Sequence, residues 1–314
     1  MSRILPEPAG TGAQVDADAL FRLRHLVRHI PERGLAPTGR PGGFAGKRRG
    51  NGLEIVDVRP FSEGDDSRHV DAAATARTGR THVRTFRDER EKTALLVADF
   101  RAAMLWGTRG RLRSVAAAMA LALAGWRVIE AGGRVGLFAL GTGAPLYVAP
   151  RGRERGMAAV AGGLARAHAE ALEAAAAGRR TDPPLASALE PAISLVPSDG
   201  TLYLATGLDE PGTDFDMLIG ALGRRARLVT LLVRDRFETA PPRGAYPYLA
   251  GAGSTLRWAF VTGRQRPVTP HPDPRLTRLE RLGAEVRTID ADADPETMAQ
   301  SLAELMGGAD AGRS

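Results

Sequence analysis

The chain has 314 residues, of which 43% are hydrophobic and 25% charged, ordinary proportions for a globular protein. It contains no cysteine, which excludes a disulfide scaffold, thiol catalysis and cysteine-ligated zinc or iron–sulfur sites. The formal net charge is +7, but only two of the 43 basic residues are lysines. With so strong an arginine bias, the high basicity is only weak evidence of nucleic-acid binding.

The first fifty residues combine a helical pattern with a basic loop. Residues 16–33 carry leucine, valine and isoleucine at helical spacing, which predicts an amphipathic helix. Within it, His25 and His29 have a spacing that can hold a metal ion, but no carboxylate motif accompanies them, so solvated histidines are favoured. Residues 34–52 are rich in glycine and predict a loop without a phosphate-binding pattern. Eight basic residues and one acidic residue fall within the 20–50 segment, which predicts an acidic partner.

Two short alternating segments follow this loop. Apolar and polar residues alternate over residues 53–59 and again over 81–86, the pattern of half-buried strands. A dense polar run at 60–68 follows the first segment. We expect the two strands to pair as an antiparallel arm.

From residue 92 onward, apolar runs typical of strands buried on both faces alternate with helical segments. Strands are predicted at 93–98, 134–140, 145–149, 201–206, 227–234, 256–261 and 285–289. Helices are predicted at 110–131, 151–178, 183–195, 214–225, 274–282 and 295–306. This alternation predicts an α/β fold with a doubly wound, mostly parallel sheet, in which ligands bind at the carboxyl ends of the strands.

These patterns divide the chain into three predicted parts. Residues 1–52 form an N-terminal helix and a basic glycine-rich loop, residues 53–91 a β arm, and residues 92–314 the α/β domain. No stretch is long and apolar enough to span a bilayer, and the first residues lack the layout of a secretory signal. We therefore expect a cytoplasmic protein without a transmembrane segment.

The polar run and its surroundings carry a motif with a specific order and spacing. It reads Gly52-Leu53-Glu54-Ile55, Arg59-Pro60-Phe61, Gly64-Asp65-Asp66-Ser67-Arg68, Val70-Asp71-Ala72 and Ala76-Arg77-Thr78. A later segment, Asp235-Arg236-Phe237-Glu238, supplies an Asp-x-x-Glu stretch. Together they resemble the bacterial domain-of-unknown-function 58 family over residues 45–245.

The resemblance implies a von Willebrand factor A-like domain with a metal-ion-dependent adhesion site at the strand ends. Such a site needs an aspartate and two hydroxyls on its first loop and another aspartate on a later loop. Arg101 and Ala103 stand where the hydroxyls are expected, and Gly207 stands where the second aspartate is expected. The residues of this degenerate site are Asp99, Arg101, Ala103, Thr206, Gly207 and Asp209. We expect Arg101 to pair with Asp99, and we expect no bound metal and no cofactor.

The charged residues of the motif have two interpretations. They are Arg59, Asp65, Asp66, Arg68, Asp71 and Arg77. The carboxylates are metal ligands or an acid/base pair in one interpretation, and members of an aspartate–arginine network in the other. Equal numbers of aspartate and arginine favour the network or a docking surface, because bidentate pairs satisfy one another.

The resemblance implies a non-catalytic adaptor that works with a MoxR-type AAA+ ATPase in assembling or maturing another protein. One alternative is a metal-dependent hydrolase that uses Asp65, Asp66 and Asp71, although no nucleophile elbow or zinc-protease motif supports it. A second alternative is a nucleic-acid binder through the basic 20–50 segment, in which aromatic stacking residues are scarce.

Overall fold

The computed structural model describes residues 12–30, 53–62, 65, 67–88, 93–141, 143–179, 182–198, 200–248, 255, 257–262 and 273–307. The described strands are β1 (Leu53–Pro60), β2 (His82–Asp88), β3 (Thr93–Asp99), β4 (Arg134–Leu140), β5 (Leu146–Gly152), β6 (Thr201–Thr206), β7 (Arg227–Arg234), β8 (Gly244–Tyr248), β9 (Arg257–Val261) and β10 (Glu285–Asp290).

The described helices are α1 (Ala17–Arg22), α2 (Arg24–His29), α3 (Ala72–Thr78), α4 (Arg113–Glu130), α5 (Arg153–Ala176), α6 (Leu185–Leu189), α7 (Ala192–Leu195), α8 (Phe215–Arg225), α9 (Arg236–Thr239), α10 (Pro274–Arg281) and α11 (Pro295–Gly307). The chain divides into two compact units, one of Met1–Thr38 with Lys92–Ser314 and the other of Gly39–Glu91.

A six-stranded sheet organises the larger unit. Its strand order is β10-β7-β6-β3-β4-β5, and every neighbouring pair is parallel except β4 and β5. The predicted α/β class with a mostly parallel sheet is therefore confirmed. Because β3 and β6 are neighbours in the middle of this sheet, their carboxyl ends, Asp99 and Thr206, lie side by side.

The apolar runs fill a separate core on each side of the sheet. Side chains alternate along β3, so Leu96 and Ala98 join one core while Leu95 and Val97 join the other. Helix α4 belongs to the first core, and each of its residues from Arg113 to Ile129 is buried. A helix buried all round needs small side chains, and the alanines of α4 allow close packing.

Two predicted helices are broken in the structure. The helix expected at 16–33 is divided at Leu23, whose backbone N–H bonds to the oxygen of Leu20, as in a 3₁₀ turn. The helix expected at 183–195 is divided before α7 by Pro191, which cannot donate a helical hydrogen bond. Residues 31–33 lie outside the described residues.

The described residues of the smaller unit include an antiparallel pair and the helix α3. Strand β1 pairs with β2, and α3 lies between them in the chain. Asp71 caps α3 by accepting a hydrogen bond of 2.8 Å from the backbone of Ala74. Gly79 ends the helix with φ of 70°, a left-handed conformation that favours glycine.

A histidine lies in the core of the larger unit. His168 is 1% exposed, and its Nε2 atom is 2.9 Å from the hydroxyl of Ser114. The ring of Phe100 meets it edge to face, with ring centroids 5.2 Å apart. Burial lowers the pKa of His168 to about 4, so the side chain is neutral at physiological pH.

We predict that His168 makes the folded state sensitive to mild acid. Below about pH 6.5, His168 is protonated in the unfolded chain but stays neutral in the folded chain. The free energy of unfolding therefore falls as the pH is lowered from about 6.5 to about 4. The loss amounts to at most about 3 kcal/mol. Urea unfolding of His168→Asn between these pH values should show a shallower pH dependence than the wild type. The exposed His25→Asn variant is the control, and identical slopes in all three proteins would contradict the prediction.

Candidate functional site

A buried salt bridge closes the carboxyl end of β3. Asp99 and Arg101 are each 0% exposed. Arg101 donates from Nε to Oδ1 of Asp99 and from Nη2 to Oδ2, both at 2.9 Å. Thr206, at the end of β6, donates its hydroxyl to the same Oδ2 at 2.7 Å. Both oxygens of Asp99 are thus held by protein donors.

The remaining donors of Arg101 hold two other loops. Its Nη1 donates to the backbone oxygen of Pro183 at 3.1 Å, and its Nη2 also donates to the backbone oxygen of Asp209 at 2.8 Å. Burial alone would lower the pKa of Arg101, but the charge and hydrogen bonds of Asp99 outweigh it and raise the pKa. The side chain is therefore a permanent buried cation, and all three of its nitrogens bond to the protein.

A second arginine lies beside the first. Arg113, the first residue of α4, is 1% exposed and forms ion pairs with the carboxylates of Asp209 and Glu238. It also donates to the backbone oxygen of Ala103 at 2.6 Å. A Cβ atom added to Gly207 would lie 2.6 Å from its Nη1. The guanidinium of Arg113 therefore faces the position where the family resemblance leads us to expect an aspartate.

The Asp-x-x-Glu stretch forms a capping box on the short helix α9. The side chain of Asp235 accepts from the backbone of Phe237, and the side chain of Glu238 accepts from the backbone of Asp235 at 2.8 Å. Thr108 donates to Asp235 from its backbone and its hydroxyl. Burial by itself would raise the pKa of Asp235, but these hydrogen bonds hold it below its usual range. The stretch thus ties the loop after β7 to the loop after β3.

The loop after β6 has a strained backbone. Leu208 and Glu210 have φ of 60° and 43°, in the left-handed region that non-glycine residues rarely adopt. The backbone N–H of Leu208 donates to the Thr206 hydroxyl at 3.0 Å, and Arg275 donates to the backbone oxygen of Gly207 at 3.0 Å. The surrounding side chains therefore hold the loop in this conformation.

The donor set does not fit a divalent cation. Mg²⁺ prefers six oxygen ligands, whereas both oxygens of Asp99 are bonded to the guanidinium of Arg101. Asp182 lies close by and accepts from the backbone of Ala103 at 3.3 Å, and burial raises its pKa. Within the described residues, no three carboxylates or histidines are grouped as metal ligands.

The carboxylates of the motif in the smaller unit have structural partners. Arg59 donates to both oxygens of Asp65, at 2.7 and 2.9 Å, and the backbone of Ser62 donates to Asp65 at 2.8 Å. Asp71 caps α3, as described above. Asp66 lies outside the described residues.

The other sequence-predicted residues are spread over the surface. Arg68 and Arg77 are exposed. The Nδ1 atom of His25 is 2.6 Å from the backbone oxygen of Arg22, and that of His29 is 2.6 Å from the oxygen of His25. Those rings are thus oriented by backbone oxygens three or four residues earlier in the chain. The predicted loop at 34–52 lies outside the described residues.

The sequence alone does not identify several residues of the site. Arg113, Arg275 and Asp182 belong to no motif, and Glu238 was recognised only as part of the family stretch. An arginine just before the apolar run of 115–126 is a signal for Arg113, because a charge there must find a buried partner. Asp182 and Arg275 contact Ala103 and Gly207, which are far from them in the chain, so no local sequence pattern predicts these contacts.

Comparison with known proteins shows the family of this chain. The family model described as "Protein of unknown function DUF58" matches residues 57–262, about two thirds of the chain. The chain belongs to this family. The predicted family resemblance is therefore confirmed, although the match begins at residue 57 rather than 45 and ends at 262 rather than 245. The match includes Arg101 and Arg113.

Other comparisons add little to the family match. No curated protein matches the chain. One similar solved structure is that of an uncharacterized membrane spanning protein from Vibrio fischeri, with 16% identity over 72% of this chain and 99% of that chain. Its TM-score of 0.19 is too low to bear on the fold. Among the helices described here, none has the length and apolar character needed to cross a membrane.

We predict that Arg101→Met strongly destabilises the protein. The substitution leaves Asp99 buried without its counter-charge, which costs about 3–5 kcal/mol. Arg278→Met, which removes a partly exposed pair with Asp216, should cost at most about 1 kcal/mol. Chemical denaturation followed by circular dichroism measures both values.

The double variant Asp99→Leu/Arg101→Met provides the control for this prediction. Removing both charges together should destabilise the fold less than removing Arg101 alone, because no charge is then left unpaired. Equal losses of unfolding free energy in Arg101→Met and Arg278→Met would contradict the prediction.

Proposed function

We propose that the protein is a non-catalytic adaptor with a doubly wound, von Willebrand factor A-like domain that acts in the cytoplasm. In this proposal a MoxR-type AAA+ ATPase is its partner, and the two assemble or mature another protein. The adhesion site has lost its metal, and a guanidinium has taken the place of the cation. Recognition of the partner then cannot depend on a metal-bound acidic ligand.

The bidentate pair between Arg101 and Asp99 is the observation that supports the proposal most. A metal ion in an adhesion site recruits a partner through a free coordination position. Arg101 has no solvent exposure, and its nitrogens donate to Asp99 and to two backbone oxygens, so a partner carboxylate cannot reach it. The site is therefore suited to holding its loops in place rather than to binding or catalysis.

The alternatives find less support in the contacts. A hydrolase would need free carboxylates, whereas Asp65 is held by Arg59 and Asp71 caps a helix. A nucleic-acid binder would need free positive charges in the basic segment. Two of the three arginines of that segment that the structure describes, Arg24 and Arg28, instead pair with Glu130, at 2.6 and 3.2 Å.

The adaptor proposal predicts an association with a MoxR-type AAA+ ATPase that does not require a divalent cation at the adhesion site. Purified ATPase and purified full-length protein should bind each other in biolayer interferometry with nucleotide absent and EDTA present. Binding should persist in Asp99→Leu/Arg101→Met, provided that this variant is folded. Absence of binding under all conditions, or binding that requires Mg²⁺ in the absence of nucleotide, would contradict the proposal.

The degenerate adhesion site predicts a gain of metal binding when the missing ligands are restored. The variant Arg101→Ser/Ala103→Ser/Gly207→Asp should bind Mg²⁺, because it removes the resident guanidinium and supplies two hydroxyls and a carboxylate. The new aspartate would meet Arg113, whose side chain must turn aside. Calorimetric titration measures the affinity, and Ala103→Ser alone is the control. No binding by a folded triple variant would mean that the loops do not align with an adhesion site.

A further inference from the structure

The hairpin formed by β8 and β9 has one face that is apolar and exposed. Trp258 and Phe260 are 56% and 71% exposed, and they point to the same face because they are two residues apart in β9. Their cross-strand partners on that face are Pro247 and Ala245, which are also exposed. Such a face is unusual, because the open side of a two-stranded sheet is normally polar.

One side chain of the opposite face of the hairpin, that of Tyr246, contacts α9. Tyr246 packs edge to face on Phe237 of α9, with ring centroids 4.6 Å apart, and its hydroxyl donates to the backbone oxygen of Pro242 at 2.8 Å. The hairpin is therefore anchored through one face and presents the other to its surroundings.

The chain segment that carries the hairpin has charges of one sign. Residues 239–272 include four arginines and no aspartate or glutamate. Two of these arginines, Arg243 and Arg257, are exposed, and neither has a carboxylate partner among the described residues. An apolar aromatic face on a segment whose charged residues are all arginines matches a surface that is apolar within and anionic at its rim.

We propose that this hairpin docks the protein on the surface of an anionic phospholipid bilayer. Trp258 and Phe260 would enter the interface between headgroups and acyl chains, where aromatic rings are favoured. Arg243, which directly precedes β8, would meet the lipid phosphates. The proposal is independent of the adaptor function.

The size of the patch favours lipid over a protein partner. Since an aromatic side chain covers about 150–250 Å², the exposed parts of the two rings amount to roughly 250 Å². A stable protein interface or a second copy of this chain needs roughly 800 Å² per partner. A bilayer accepts single rings without a complementary surface.

The arrangement also disfavours single-stranded nucleic acid. Such sites combine stacking rings with basic groups that follow the backbone along the same groove. Arg257 alternates with Trp258 along β9 and therefore points away from the face that carries the rings.

Flotation of the full-length protein with lipid vesicles tests the proposal. The protein should float with vesicles of phosphatidylcholine and phosphatidylglycerol and bind more weakly to phosphatidylcholine alone. Trp258→Ser/Phe260→Ser should lower the partition coefficient about tenfold or more. The matched control is Met217→Ser/Tyr147→Ser, which removes two exposed apolar side chains elsewhere and should bind as the wild type does.

The arginines have a separate test. Arg243→Gln should weaken binding to the anionic vesicles about fivefold and leave binding to neutral vesicles unchanged. Arg257→Gln, which removes a charge from the other face of β9, should have a smaller effect. Quenching of Trp258 fluorescence by brominated phosphatidylcholine gives a second readout that requires no destabilising variant. The quenching should disappear in Trp258→Phe.

Four results would overturn the proposal. The wild type would fail to float with anionic vesicles, or the Trp258→Ser/Phe260→Ser variant would float equally well. Alternatively, the wild type would form dimers or bind single-stranded DNA in a manner that depends on the two rings. Sedimentation velocity and fluorescence anisotropy with an oligonucleotide detect these last two outcomes, which would reassign the face to a second copy or to nucleic acid.

Discussion

The salt bridge between Asp99 and Arg101 is the interaction on which the carboxyl edge of the sheet depends. A carboxylate with no solvent exposure must have a counter-charge, because a lone charge in a low-dielectric interior is very costly. Arg101 supplies that charge from two residues away. Since it also bonds to the backbone of Pro183 and Asp209, the same guanidinium sets the positions of two distant loops.

A guanidinium and a metal ion neutralise a carboxylate in different ways. A metal ion keeps coordination positions that water or a partner can occupy. The N–H donors of a guanidinium are instead occupied by the oxygens around it. Arg113 repeats this solution on Asp209 and Glu238. The edge of the sheet is thus a closed network, and the features suited to contact with other molecules lie on the surface, above all at the aromatic hairpin.

The sequence predicted those parts of the fold that have a strong local signal. The apolar runs at 93–98, 201–206 and 227–234 are strands within a residue or two of their predicted bounds, because strands buried on both faces are apolar throughout. The break at Leu23 and the network around Arg113 were not predicted. The break depends on one backbone hydrogen bond, and the network joins residues more than ninety positions apart. Neither leaves a periodic trace in the sequence.

Calorimetric titration of the wild-type protein with Mn²⁺ and Mg²⁺, with a thermal melt alongside, tests the central claim most directly. A site whose cation is a guanidinium should give no heat of binding and no shift in melting temperature. Micromolar binding that is lost in Asp99→Asn would contradict the account, because it would show that a metal ion can displace Arg101 from Asp99.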